Sequence, residues 1–344
     1  MSSQMPTPTS GPAQSVPSTM RAVVQDSYGA SEVLQVQEIA PPEIADDEVL
    51  VRVRAAGMDR GTWHLMSGKP YLLRILGFGF RRPKNRVPGI DVSGTVAAIG
   101  SAVTRFSVGD EVYGMSRGSF AEYAAVGEDK LAPKPDTLSF EAAASVPISA
   151  GTALQALDAG RVEAGQRVLV LGASGGVGSY AVQLAKAQGA EVTGVSSTAK
   201  VDLVCELGVD HVLDYTREDF ADGTRAYDLI LDIGGNPALS RLRRALTPTG
   251  TAVIVGGESG GNWTGGFGRS LRAPLRSLFL KQRLMMLASK ERASDLERVS
   301  GFIVAGQVTP SVDRTYPLEQ AGAAMDRLVA GEVRGKVAIV VSDD

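Results

Sequence analysis

Apolar and polar positions alternate in two different ways along the 344 residues. From Arg21 to about Ala150 the apolar residues come in short runs, such as Ala22-Val23-Val24, Val49-Leu50-Val51-Arg52-Val53 and Gly94-Thr95-Val96-Ala97-Ala98-Ile99, each broken by Gly, Pro or Asp. Short strand-like runs between turn residues predict a small barrel or sandwich. Near Pro147 the pattern changes: apolar runs begin to alternate with helical periodicity, which predicts a parallel sheet covered by helices. The order is a strand at Arg167 to Leu171, a helix at Val177 to Gln188, a strand at Glu191 to Val195 and a helix at Val201 to Leu207. Strands follow at His211 to Asp214, Leu229 to Ile233 and Thr251 to Val255. Connections this short belong to doubly wound α/β units.

Beyond Gly256 come a Gly-rich loop and a basic, apolar stretch, LRAPLRSLFLKQRLMML. It reads as a lid, a membrane-surface helix or an amphipathic helix packed on the body, and packing is the preferred reading. Val312 to Val341 returns to β-like text around a helical pattern at Leu318 to Val329, and a strand at Lys336 to Val341 could rejoin the first unit. The 19 residues before Met20 are rich in Ser, Pro, Thr and Gln without a basic start or an apolar run, so they read as a disordered tail.

Composition narrows the class. Lys plus Arg number 35 against 38 Asp plus Glu, a net charge of −3, without the basic excess that phosphate-backbone binding uses; nucleic acid is not an expected partner. No apolar run approaches the ~18–20 residues of a membrane-spanning helix. The single cysteine, Cys205, rules out an intramolecular disulfide and a cysteine zinc cluster, which fits a cytoplasmic protein.

The richest chemistry lies in RVLVLGASGGVGSYAVQLAKAQGAEVTGVSS. Ala173-Ser174-Gly175-Gly176-Val177-Gly178 is the G-x-G-x-x-G fingerprint with alanine in first place, directly after a strand and opening a helix. Gly175 would let backbone N–H groups approach a pyrophosphate, the helix N-terminus would face its charge, and Gly178 would let the helix pack on the strand. The strand about 20 residues on should end in Asp or Glu if the ribose 2′-hydroxyl of NAD were bound. Ser196, Ser197 and Lys200 stand there instead. Hydroxyls and an ammonium suit the extra phosphate of NADP, so NADPH is the expected cofactor; otherwise Lys200 is a solvated charge at a helix start. Tyr215, after the third strand, either covers the adenine ribose or phosphate edge or is an ordinary half-buried aromatic.

These residues resemble the medium-chain dehydrogenase/reductase superfamily, and within it the zinc-free, quinone oxidoreductase-like (zeta-crystallin-type) branch. The markers are Pro88-Gly89-Ile90-Asp91-Val92-Ser93-Gly94-Thr95-Val96, Val108-Gly109-Asp110-Glu111-Val112, the GASGGVG turn and Arg334-Gly335-Lys336-Val337, and the likeness runs from Met20 to the C-terminus. It implies a mainly-β, GroES-like catalytic domain over residues 20–148, a Rossmann NADP-binding domain over 149–284, and a return to the catalytic domain over 285–344. Zinc-dependent relatives carry a His-Glu pair where this chain has Ile90-Asp91, and a cysteine near Ala56-Gly57, so no metal is expected.

The resemblance also implies roles for single residues. Asp59, Trp63 and His64 lie on the segment that faces the nicotinamide, where zinc-free relatives usually have Asn for Asp59 and Tyr near His64. His64 either donates a proton or is structural, and Asp59 either positions water or the nicotinamide ribose or caps a turn or helix. Thr152 approaches the nicotinamide, Ile233 and Gly256 meet the cofactor through backbone groups, and Lys336 is either the basic residue near the cofactor or a surface lysine.

Without zinc a plain ketone loses its Lewis-acid polarisation, so activated acceptors are favoured. The expected activity is NADPH-dependent hydride transfer to a quinone or α,β-unsaturated carbonyl. The alternatives are an alcohol dehydrogenase or enoyl reductase of the same superfamily, and a non-catalytic NADPH-binding sensor or structural protein. A homodimer is possible, with the Thr251 to Val255 strand as the pairing edge.

Overall fold

In a computed structural model that describes residues 16–256, 261, 263 and 281–342, the described residues build two large sheets joined through one continuous core, and a small two-stranded sheet. Most of the tail and most of the basic stretch lie outside the described residues. In chain order, β1 (Met20–Val24) and β2 (Gln35–Ile39) form a small antiparallel pair. The first large sheet follows with β3 (Glu48–Met58), β4 (Asp91–Ile99), β5 (Glu111–Met115), β6 (Tyr123–Gly127) and β7 (Leu131–Pro133). Two helices interrupt it, α1 (Arg60–Ser67) and the single turn α2 (Tyr71–Leu73), and α3 (Phe140–Ala144) and α4 (Pro147–Gly160) close this part.

The second sheet holds β8 (Arg167–Leu171), β9 (Glu191–Ser196), β10 (His211–Asp214), β11 (Tyr227–Asp232), β12 (Leu246–Ile254) and β13 (Arg283–Met286). Its helices are α5 (Gly176–Ala187), α6 (Val201–Glu206) and α7 (Leu239–Ala245). The chain ends with α8 (Ala293–Val304), β14 (Val312–Pro317), α9 (Ala321–Val329) and β15 (Lys336–Val340).

All pairings in the second sheet are parallel, in the order β10-β9-β8-β11-β12-β13. The order reverses direction beside β8, and the crevice outside the carboxyl ends of β8 and β11 is where such sheets bind ligands. Helices on both faces explain why Val168, Leu169, Val170, Leu229, Ile230 and Leu231 are all fully buried, a continuous apolar run instead of an alternating one. Thr251 to Val255 is not the edge that pairing would use. β12 lies between β11 and β13, and β13 occupies the outer position, so the end of the basic stretch supplies a sheet strand.

The first sheet runs β14-β15-β3-β4-β5-β7, with β6 also on β3. The C-terminal strand β15 lies antiparallel to β3, pairing Val337 with Met58 and Ala338 with Gly57. That register sets Lys336 beside the start of α1. Between the sheets runs α4, started by Pro147 in its first turn. Alanines, leucines and glycines bury it nearly all round, as a helix central to a fold requires. Its core joins Tyr113, Met115 and Ala132 of the first sheet to Val168, Val170 and Leu229 of the second. Among the described residues no helix is long and apolar enough to cross a membrane.

Candidate active site

After Leu171 the chain turns through Gly172, whose φ of 84° is left-handed, and the amides of Gly172 and Ala173 both donate to Val195 O of the next strand. The turn glycines then separate by purpose. A Cβ on Gly178 would stand 2.0 Å from Gly172 O and 2.8 Å from Ala173 Cα, so close packing of helix on strand demands glycine. A Cβ on Gly176 would meet Lys336 Cδ at 3.0 Å and Ser149 Oγ at 3.1 Å. A Cβ on Gly175 would meet only Gly172 O, at 3.5 Å, and its φ of −87° suits any residue.

The chain's own packing therefore gives no reason for glycine at 175. Gly175 caps α5 without a side-chain acceptor, and among the described residues the amides of Gly176, Val177 and Gly178 find no backbone carbonyl. Orphan amides at a helix start, with the positive end of its dipole, form an anion cradle. Ala173 is buried in the core with its N–H taken by Val195 O, and Val177 packs partly buried against that core, which leaves the Val177 amide for a ligand. Ser174 is buried, and its carbonyl accepts from Gly335 N at 3.0 Å.

At the end of β9, Ser196 is buried with its hydroxyl 3.4 Å from Ser197 O. Ser197 starts the next turn. Lys200 is engaged: its ammonium donates to Gly331 O at 2.7 Å and Val333 O at 2.6 Å. Arg334 returns the contact by donating to Ala199 O and pairing with Asp202 at 2.8 Å. The segment before β15 is thus tied to the region read as the 2′-phosphate site. Tyr215 is 63% exposed, not half-buried. Asp214, across from Ser196 on β10, accepts from Thr198 and Thr216 and lies 3.6 Å from Arg217. Those hydrogen bonds from the two threonines, with Arg217 adding to them, hold its carboxyl below the usual range. Sequence reasoning missed this carboxylate because it lies one strand away from the expected one.

Ile233 and Gly256 come together as expected of neighbouring strand ends, since a Cβ on Gly256 would stand 3.1 Å from Ile233 O. Thr152, on the second turn of α4, lines a cavity of about 90 Å³ with Met115, Ile148, Gln155 and Glu291.

Lys336 is not on the surface. Its side chain is 1% exposed, the ammonium donates to Asp91 Oδ2 at 3.0 Å, and Asp59 Oδ2 lies 3.9 Å away. Asp91 is itself fully buried and accepts from Ile148 N at 2.8 Å through Oδ1, which caps α4 from another sheet. Asp59 caps α1, accepting from Thr62 N at 2.8 Å through Oδ1, while its buried Oδ2 has no hydrogen-bond partner. So two carboxylates face one ammonium beside the turn over residues 173–178. The buried pair was legible only as an acid within the apolar strand Ile90-Asp91-Val92; a buried charge needs a partner, but the sequence does not say which.

Burial raises the Asp91 carboxyl to about 6, opposed by the Lys336 ammonium and reinforced by the Asp59 charge. A carboxyl raised in the folded state favours folding most below its unfolded value, and that contribution fades as pH rises through about 6. For Asp91 this amounts to roughly 3 kcal/mol. Asp91→Asn should remove the slope: the stability difference from wild type should change between pH 4 and 6 in favour of the variant, then level off. Denaturant unfolding across that range checks it, and a pH-independent difference would contradict it.

Trp63 and His64, which the resemblance sets on the same segment as Asp59, part from it. Trp63 packs against the core of the first sheet and stacks edge-on to His64 at 4.9 Å. His64 Nδ1 lies 2.6 Å from Lys69 O. A carbonyl only accepts, so Nδ1 carries the proton and Nε2 can donate only from the imidazolium.

Comparison with known proteins places this arrangement. Residues 45–136 match the family described as Alcohol dehydrogenase GroES-like domain, and residues 207–339 the one described as Zinc-binding dehydrogenase. The chain is similar to 2-methylene-furan-3-one reductase of Solanum lycopersicum, with 32% identity over 94% of this chain and 80% of that protein. It is also similar to the quinone oxidoreductase of Sus scrofa, with 30% identity over 90% of this chain and 94% of that one. Among solved structures, the quinone oxidoreductase from Coxiella burnetii superposes with a TM-score of 0.84 at 27% identity, covering 94% of this chain and all of that chain. With the all-parallel nucleotide sheet and the GroES-like sheet described above, the chain belongs to the quinone oxidoreductase-like branch of the medium-chain dehydrogenase/reductase superfamily.

Proposed function

We propose that this protein is a zinc-independent oxidoreductase that uses NADPH to reduce a quinone or an α,β-unsaturated carbonyl compound. The observation that carries the reading is the Gly175 turn: a glycine that internal packing does not need, at the mouth of a helix with orphan amides, beside a buried charge cluster. A diphosphate is the group such a cradle fits.

When bound, the reduced nicotinamide supplies the hydride. The chain's part is to hold and orient. The amides of 176–178 would hold the diphosphate, and Asp59 Oδ2, buried without a hydrogen-bond partner and 3.9 Å from the Lys336 ammonium, would be an acceptor for a ligand hydroxyl. With that hydride taken at an electrophilic carbon, the substrate would need one proton at oxygen or the α-carbon to balance the two-electron reduction. Conjugated acceptors spread the developing negative charge, so hydrogen-bond donors suffice where a saturated ketone would call for a metal. The donor set also speaks against zinc: Asp59 and Asp91 converge on an ammonium, and among the described residues no three His, Cys, Asp or Glu side chains gather. Relatives bear names that fit, among them an NADPH-dependent alkenal/one oxidoreductase of Arabidopsis thaliana at 32% identity.

Turnover of a quinone and an enone with NADPH, with chelator present, tests the reading. Activity that survives chelation is expected, and NADPH bound without oxidation across both acceptor classes would refute it. Lys200 gives a second test. Lys200→Gln should weaken NADPH roughly 10-fold more than NADH if the ammonium also serves the 2′-phosphate. Equal losses would confine Lys200 to its contacts with Gly331 and Val333.

A further inference from the structure

Residues 60–90 contain seven of the 35 lysines and arginines and none of the 38 acidic residues, although the whole chain is slightly acidic, with a pI near 5.6. Within this segment the loop over residues 74–84 turns apolar side chains outward. Ile75 is 65% exposed and Phe80 73%, with Phe78 partly exposed beside them and Trp263 at 70%. Trp263 joins the patch by stacking edge-on to Tyr71 at 5.5 Å and accepting from Leu72 N at 3.2 Å.

The display is held in place. The Tyr28 hydroxyl lies 2.7 Å from Gly79 O and 2.9 Å from Phe78 O, and Lys84 N closes the loop on Phe78 O at 2.9 Å. Arg74 does not contribute a surface charge: it donates to Gly68 O at 2.8 Å and stacks on the rings of Tyr28 and Tyr71. Arg86 is paired with Asp26 at 2.6 Å. Arg81, Arg82 and Lys84 are exposed and form no ion pair among the described residues.

Large apolar side chains and open cations at the rim of one fixed loop match the two requirements of an interfacial anchor, apolar insertion and attraction to anionic headgroups. We propose that the 74–84 loop docks the protein on the surface of an anionic lipid bilayer. The chemistry disfavours a second copy as the occupant, because a two-fold contact through this face would set Arg81, Arg82 and Lys84 against their own like charges. The proposal is independent of the reaction assigned above.

Flotation of the full chain with vesicles tests it, using phosphatidylcholine alone and phosphatidylcholine with about one-third phosphatidylglycerol. Binding is expected to the mixed vesicles at low salt, to weaken at high salt, and to be absent with phosphatidylcholine alone. The triple variant Arg81→Gln, Arg82→Gln, Lys84→Gln should bind on the order of 100-fold more weakly, from about 5-fold per cation. Ile75→Ser with Phe80→Ser should also lose binding with every charge kept. Unchanged circular dichroism and melting temperature confirm that the variants fold. The proposal is overturned by no flotation with anionic vesicles, by variants that float like wild type, or by concentration-dependent self-association in light scattering that Phe80→Ser abolishes.

Discussion

Lys336→Met is expected to destabilise the folded chain by about 3–5 kcal/mol at neutral pH, the cost of leaving buried carboxylates without their counter-ion. Met follows the lysine stem, so packing against Gly176 changes little and the loss is electrostatic. Asp91 keeps one donor, Ile148 N, and Asp59 Oδ2 keeps none. The penalty should shrink toward pH 5, because the burial that lifts the Asp91 carboxyl to about 6 with its ammonium present acts unopposed once the ammonium is gone. Adding Asp91→Asn to Lys336→Met should recover much of the loss, since replacing both partners of a buried pair is far cheaper than removing one. Urea unfolding at two pH values measures all of this. A loss below about 1 kcal/mol at neutral pH would mean that water reaches the cluster.

The second large effect separates binding from folding inside one turn. Gly175→Val should cost no more than about 1 kcal/mol without NADPH, the loss of a preferred helix N-cap residue, because the open surroundings and ordinary φ at 175 accept a β-carbon. Gly178→Val should cost about 1–3 kcal/mol or prevent folding, because backbone blocks its Cβ. With NADPH the order changes. Wild type at a hundred times its Kd gains about 2.7 kcal/mol, several degrees in Tm. Gly175→Val should gain almost nothing, its affinity reduced roughly 100-fold or more by the loss of charge-assisted contacts to backbone amides. A Gly175→Val protein whose melting temperature rises with NADPH as wild type's does would show that the cofactor does not approach this turn.

How much of this was legible beforehand differs by element. The nucleotide sheet was readable because parallel strands buried on both faces are written as unbroken apolar runs; His211–Asp214 matches its expected bounds, and Arg167–Leu171 does too. The helix Arg60–Ser67 was not, because its eight residues offer a single helical apolar spacing, Trp63 to Met66, beside the Asp59 cap, too short a pattern to stand out. The position of β13 was hidden for a related reason: its four residues end a basic stretch that reads as a helix. Lys336 was misjudged as surface on one of its two readings because its partner Asp91 is 245 residues away. Pairings of that range belong to the register of β15 on β3, not to any local pattern. The engagement of Lys200 with Gly331 and Val333 is equally non-local.

The most direct measurement is calorimetric titration of the wild-type chain with NADPH. Heat that saturates at one cofactor per chain, and that falls away in Gly175→Val at unchanged fold, is the predicted result. No heat from the wild-type chain, or the same isotherm from both proteins, would contradict a dinucleotide seated on the amides that follow Gly175.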